Sequence, residues 1–170
     1  GKTLGVIGCG RIGQETAKVG LGLGMNILAV DPYVSEVTLS VGPTALGFKV
    51  TVKTVDMDDM LADADYISLH IPSVGKALLG KEEFAKMKDG VIIVNCSRGG
   101  TIDEVALLEA LSSGKVAAAG LDVFDNEPTP RKDLLTHPRI SLTPHIGAST
   151  EEAQNKIGEE LAQKMIAALK

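Results

Sequence analysis

At 170 residues the chain is the length of one domain, and with 44% hydrophobic and 23% charged residues it has the composition of a globular protein rather than a disordered or fibrous one. A net charge of −5, no Trp and only five Phe and Tyr residues together argue against a phosphate-tracking basic surface or a base-stacking platform, so nucleic acid is not an expected partner. No apolar run approaches the ~18 residues that cross a bilayer, and the short stretch Leu4–Ile7 is no secretory signal, so a cytoplasmic protein with no membrane partner is expected.

In chain order, short apolar runs alternate with helical patterns, which predicts an α/β fold: a doubly wound, mostly parallel sheet of about seven strands with helices on both faces. The predicted strands are Leu4–Ile7, Asn26–Val30, Lys49–Val52, Tyr66–Leu69, Val91–Asn95, Val116–Leu121 and Ile140–Leu142. Helices are predicted over Ile12–Leu23, Asp58–Ala64, Lys81–Lys88, Glu104–Ser112 and about Thr150–Leu169, the last with Ile157, Leu161, Met165 and Leu169 in one stripe. Thr101–Glu104 and Ser149–Glu152 both read as capping boxes that start helices. All seven prolines fall in connections, and no linker divides the chain, so residues 1–170 read as a single domain.

The two cysteines, Cys9 and Cys96, have no metal-ligand spacing and read as small buried residues at strand ends; no metal is expected. In the usual doubly wound order, Leu4–Ile7 neighbours Tyr66–Leu69, which neighbours Val91–Asn95. That order holds the two cysteines about 10 Å apart and predicts free thiols.

Gly8-Cys9-Gly10-Arg11-Ile12-Gly13 is a GxGxxG turn that closes a predicted strand and opens a predicted helix, the setting in which this pattern is informative. Gly8 permits the tight turn, Gly10 leaves room for a pyrophosphate, and Gly13 lets the helix sit against the strand. Asp31 stands 18 residues after Gly13, at the end of the second strand, where an acid accepts hydrogen bonds from both ribose hydroxyls of NAD and repels the 2′-phosphate of NADP. The plainer alternative is that Asp31-Pro32 only starts a turn.

Ligands of an open α/β sheet bind beyond the carboxyl ends of its strands. There the sequence places His70-Ile71-Pro72, Ser97-Arg98-Gly99-Gly100, Asp122 through Glu127-Pro128, and Thr143-Pro144-His145-Ile146-Gly147. Arginine, carboxylate and histidine suit 2-hydroxy acid chemistry. Arg98 would grip the substrate carboxylate, His145 would exchange a proton with the hydroxyl, and Glu127 would orient the histidine and favour its cation. Each has a plainer alternative: a surface arginine, a solvated glutamate, a histidine capping the last helix. His70 is equally readable as a packing residue. Asp122, directly after a buried strand, needs a partner and is read as a cofactor contact.

These segments resemble the D-isomer-specific 2-hydroxy acid dehydrogenases, most of all their D-3-phosphoglycerate dehydrogenase branch, from Gly5 to about Leu169. The resemblance implies an NAD-dependent oxidoreductase moving hydride between nicotinamide and C2 of a 2-hydroxy acid. It places the catalytic residues on Arg98, Glu127 and His145. It places cofactor contacts on the backbone of Arg11 and Ile12, on Asp31, Ser97 and Asp122, and around His145 and Gly147; the glycine turn adds Gly8, Gly10 and Gly13 as cofactor contacts, and the strand ends add His70, Pro72 and Arg98. It also implies a homo-oligomeric parent, a dimer or tetramer. Sibling activities are glyoxylate/hydroxypyruvate reductase and D-lactate dehydrogenase; an NAD-sensing corepressor-like module shares the fold and the triad. The loop Pro72–Gly80 is shorter than the family's and lacks its threonine. The chain reads as the cofactor domain alone, without the substrate domain of full-length members.

Overall fold

The computed structural model describes residues 1–43 and 46–169. In chain order its elements are β1 (Thr3–Ile7), α1 (Arg11–Gly22), β2 (Asn26–Val30), β3 (Glu36–Val41), β4 (Phe48–Lys53), α2 (Met57–Asp63) and β5 (Tyr66–Leu69). They continue with α3 (Lys81–Lys86), β6 (Val91–Asn95), α4 (Glu104–Ser113), β7 (Val116–Leu121), α5 (Lys132–Leu135), β8 (Ile140–Leu142) and α6 (Glu151–Ala168). Six strands form one parallel sheet in the order β2-β1-β5-β6-β7-β8. The neighbours expected for β1, β5 and β6 are therefore the observed ones.

Alternation along β1 explains why the sheet is covered on both faces. Leu4 and Val6 join a cluster with Ala17 of α1, Ala29, Leu39 and Val52. Ile7 joins the larger opposite core with Met60, Leu61, Leu69, Ile93, Leu107 and Leu121. Gly5 faces α2, where a Cβ would overlap the Met60 side chain, so glycine sets how closely that helix approaches.

The expected strand Lys49–Val52 exists but lies outside the parallel sheet. It is part of β4, which pairs antiparallel with β3, a strand that was not expected. The reason is visible in the side chains. Val37 and Leu39 alternate with Thr38 and Ser40, and Val50 and Val52 with Lys49, Thr51 and Lys53, so each strand has one apolar face. A ribbon packed on one side suits that pattern, whereas a central parallel strand needs two apolar faces.

The helix starts also differ in detail. At α4 the cap is Asp103, whose Oδ1 accepts from the Val105 and Ala106 N–H groups at 2.9 and 3.0 Å, while Thr101 is buried and donates to the Arg98 carbonyl. At α6 it is Thr150 that accepts from Ala153 N–H, not Ser149. Cys9 is buried as expected, but Cys96 is exposed beyond the end of β6; both are free thiols. The apolar stripe of α6 is also exposed, Ile157, Leu161 and Met165 included. Among the described residues no helix is long and apolar enough to cross a membrane.

Candidate active site

The glycine turn has the form its spacing implies. Gly8 has φ +95°, in the left-handed region, and a Cβ there would press on the His70 carbonyl; one on Gly13 would overlap the Gly8 carbonyl oxygen. Gly10 is different: nothing lies within 4 Å of where its Cβ would be. It is the N-cap of α1 and offers no side chain, the first turn carries no acid, and the first intrahelical bond is Gln14 N–H to Gly10 O. The N–H groups of Arg11, Ile12 and Gly13 are thus left for an anion, and the open space at Gly10 fits the pyrophosphate of a dinucleotide. The Arg11 side chain takes no part in that cradle. Its guanidinium forms a two-pronged pair with Glu160 of α6 at 2.8 and 2.9 Å, which together with Lys164 pulls Glu160 down to about 2.

Asp31 accepts from Cys9 N–H through Oδ2 at 2.7 Å and from Tyr33 N–H through Oδ1 at 2.8 Å. The same carboxylate thus makes the local turn and ties it to the glycine turn, beside the place where a ribose would lie. His70 is half-buried, with Nε2 2.9 Å from Ser68 Oγ, and burial lowers its pKa, which favours the neutral ring. Its backbone carbonyl lies against Gly8, so it stands beside the glycine turn. Pro72 stands exposed in the loop that follows.

Beyond β7 and β8 the structure brings Glu127 and His145 together, with Oε2 to Nδ1 at 2.7 Å. The other carboxylate oxygen accepts from Phe124 N–H at 2.9 Å. The contact with His145 and then that backbone bond hold Glu127 below the usual carboxylate range. The arrangement leaves Nε2 as the ring nitrogen that can exchange a proton. An apolar cavity of about 410 Å³ opens beside the pair, walled by Phe124, Pro128, Leu135, Leu142 and Pro144.

Asp122 has its partners within the chain. Only 2% exposed, it accepts from Thr143 Oγ1 at 2.6 Å, Ile146 N–H at 2.9 Å and Gly147 N–H at 2.8 Å. Its burial is therefore satisfied within the chain and by itself calls for no cofactor partner. Burial would push its pKa up, but the three hydrogen bonds and nearby His145 outweigh that and hold it low. The two backbone bonds come from the residues that directly follow His145, whose φ of +55° is left-handed, a conformation that costs a non-glycine residue about 1–3 kcal/mol.

Ser97 is buried and gives both its N–H and its hydroxyl to Asn95 Oδ1. Arg98 is exposed, and its Nη1 donates to the Ser97 carbonyl; among the described residues it makes no hydrogen bond to Glu127 or His145. The turn that carries it nevertheless packs on the Glu127 loop. A Cβ on Gly99 would overlap the Phe124 carbonyl, and Gly100 N–H donates to Asp125 Oδ1 at 2.6 Å. Strand ends place Asp125 and Thr143 without giving them a role and pass over Asn95 and Glu104; all four fix these loops. The signal for Asn95 was its place as the last, buried residue of an otherwise apolar strand. Among the described residues no cluster of His, Cys, Asp and Glu is set to hold a metal.

Residues 1–147 match the family described as "D-isomer specific 2-hydroxyacid dehydrogenase, NAD binding domain". The chain belongs to this family. It is the family's NAD-binding domain, and NAD is its cofactor; the open space at Gly10 fits the pyrophosphate of that dinucleotide. Over 170 residues the chain is 51% identical to a hydroxypyruvate reductase of Thermotoga maritima, covering 97% of this chain and 52% of that protein. It is 48% identical to a D-3-phosphoglycerate dehydrogenase of Archaeoglobus fulgidus, covering 98% of this chain and 31% of the other. Among solved structures, a glyoxylate reductase from Paecilomyes thermophila superposes with a TM-score of 0.84 at 41% identity, over all of this chain and 50% of that one. The chain thus spans about half the length, or less, of the curated relatives it matches.

Proposed function

We propose that this domain supplies the cofactor site and the acid–base pair of an NAD-dependent D-2-hydroxy acid dehydrogenase. The observation that carries the reading is the Glu127–His145 contact at 2.7 Å, set on the same sheet edge as the open glycine cradle. In this reading His145 Nε2 removes the proton of the substrate hydroxyl, and Glu127, held ionised, stabilises the imidazolium that results. Bound NAD would accept the hydride from C2. Arg98, on an adjacent turn, swings from the Ser97 carbonyl to grip the substrate carboxylate, for which its planar fork is suited.

The substrate class is a small 2-hydroxy acid. 3-Phosphoglycerate is the leading candidate; the 51%-identical hydroxypyruvate reductase and the glyoxylate reductase structure favour, as the second, the reverse reaction on a 2-oxo acid, hydroxypyruvate or glyoxylate, with His145 giving the proton. The wall facing Arg98 and His145 would come from a further domain of a longer, homo-oligomeric protein. An exposed arginine–carboxylate pair contributes only ~0–1 kcal/mol, and positioning within a closed cleft can supply ~7 kcal/mol or more of a barrier.

The test titrates NADH into this chain, then follows nicotinamide absorbance with 3-phosphoglycerate and NAD, and with hydroxypyruvate and NADH. The chain should bind NADH within ~10-fold of a full-length protein carrying this domain and turn over at least ~1000-fold more slowly. Failure to bind NADH removes the cofactor assignment. Full-length turnover that survives His145→Gln removes the acid–base assignment.

A further inference from the structure

Glu104 is the first residue of α4, a place where an acidic side chain ordinarily faces solvent and the helix dipole. Here it is 6% exposed. It is not needed as a cap, because Asp103 already accepts from the Val105 and Ala106 N–H groups. Its Oε1 instead accepts from Asp125 N–H at 2.9 Å, and its Oε2 is buried with no hydrogen-bond partner among the described residues. Burial and the nearby charge of Asp125 push its pKa up, only partly countered by the Asp125 N–H bond. Half-satisfied buried carboxyls are costly, and an apolar side chain of the same length would fill this place with less penalty.

What the carboxyl holds gives the cost a purpose. Asp125 and its neighbour Phe124 together join three parts of the site. The Asp125 N–H is held by α4 through Glu104, and its Oδ1 receives Gly100 N–H from the turn that carries Arg98. Its neighbour Phe124 gives its N–H to Glu127 Oε1, and the Phe124 carbonyl lies against Gly99. α4 packs on β7 and is capped at both ends, so it is the rigid member of this set.

We propose that Glu104 is a positioning residue: by holding Asp125 N–H it fixes the Phe124–Glu127 loop, and with it the Glu127–His145 contact and the spacing of that pair from the Arg98 turn. The inference rests on reading Glu127 and His145 as the acid–base pair. Glu104 touches neither substrate nor cofactor in this scheme. It acts through one backbone N–H.

The test compares wild type with Glu104→Met, which keeps the shape and removes the acceptor, and Glu104→Gln, which keeps the acceptor and removes the charge. The readout is the titration of the Glu127 carboxyl, followed by side-chain carbon NMR in the whole chain, alongside NADH affinity. In wild type Glu127 should titrate below the usual carboxylate range. Glu104→Met should move that midpoint up by about 0.5 pH unit or more as the His145 and Phe124 contacts loosen. Glu104→Gln should restore it to within about 0.2 unit, and NADH affinity should stay within ~3-fold throughout. A folded Glu104→Met protein with an unmoved Glu127 midpoint overturns the proposal, as does a Glu104→Gln midpoint displaced as far as that of Glu104→Met. Should Glu104→Met not fold, amide exchange in wild type decides: at least ~100-fold protection at Asp125 is expected, and random-coil exchange there refutes the clamp. Wild type that fails to bind NADH while Glu127 titrates as expected would defeat the proposed function and leave the clamp standing.

Discussion

Asp122→Asn is the substitution that most directly probes how the site is held. Asparagine has the same shape, and its carbonyl oxygen can replace Oδ1, which accepts from Thr143 Oγ1 and Ile146 N–H. Its amide nitrogen then replaces Oδ2, 2.8 Å from Gly147 N–H, so two donors face each other where a charge-assisted bond had been. Losing that bond and leaving a buried N–H unpaired costs about 2–4 kcal/mol. A domain of this size loses about 2–4 °C of Tm per kcal/mol, so the melting temperature should fall by roughly 5–15 °C. Asp122→Ala, which releases all three donors, should fall further. The loss should be local first, with the Ile146 and Gly147 amides exchanging faster than those of β7, because these two N–H bonds hold His145 at its positive φ. The pH dependence gives an independent check. Since Asp122 titrates below its unfolded value, its stabilisation is fully present above about pH 4 and is lost as pH falls through the folded pKa. The acid limb of the stability curve should flatten in Asp122→Asn. A variant that melts within about 1 °C of wild type and keeps the same acid limb would refute the role assigned to this carboxylate.

Two further predictions concern the cofactor side. NADH should bind more than ~10-fold more tightly than NADPH, and Asp31→Ala should narrow the gap mainly by weakening NADH. It should also lower stability by about 1–3 kcal/mol through the unpaired Cys9 and Tyr33 N–H groups; equal affinities in wild type, measured by calorimetry, would remove Asp31 from the ribose site. His70 is half-buried beside the glycine turn and sensitive to pH. Its pKa is lowered by burial, so its contribution is fully present above the unfolded value of about 6.5 and is lost as pH falls below it. Thermal melts of wild type and His70→Asn between about pH 7.5 and 5.5 should converge on acidification, and parallel curves would show that His70 does not titrate against folding.

What the sequence showed was whatever local pattern fixes. The parallel strands were legible because each is a short apolar run, and the glycine turn because its spacing meets a strand on one side and a helix on the other. β3 escaped notice although Val37, Leu39 and Val41 alternate cleanly, because the segment has no apolar run and pairs only with β4. α5, four residues long, has too little length to show a period. Thr101 was read as a cap because its spacing to Glu104 matches a capping box, but tertiary structure uses both residues elsewhere: Thr101 on the Arg98 carbonyl, Glu104 on Asp125. The site divides the same way. Strand ends located Asp31, Ser97 and Asp122, but not what they hold. The donors to Asp122 come from Thr143, Ile146 and Gly147, and the acceptor for Asp125 N–H from Glu104, pairings more than twenty residues apart that no local pattern reveals.

The two halves of the proposed chemistry are held very differently, and the difference follows from what each must do. A proton-transfer pair gains from being fixed before substrate arrives, since a base that must be oriented during the reaction forfeits part of the advantage of being positioned. Glu127 and His145 meet that requirement. One is bonded to Phe124 N–H and the other is followed directly by two residues whose N–H groups bond a buried carboxylate, and both loops start directly from strands of the parallel sheet. Among the described residues Arg98 has no such restraint: its backbone carbonyl is gripped by Asn95 and Thr101, but its guanidinium bonds only the neighbouring Ser97 carbonyl. A neutral acceptor is a weaker partner than a carboxylate, so an arriving 2-hydroxy acid can displace it at little cost. The backbone of the turn is fixed and the fork is free. In the proposed function that combination would suit Arg98, because it would meet a ligand whose final position is set only when an opposing wall is in place.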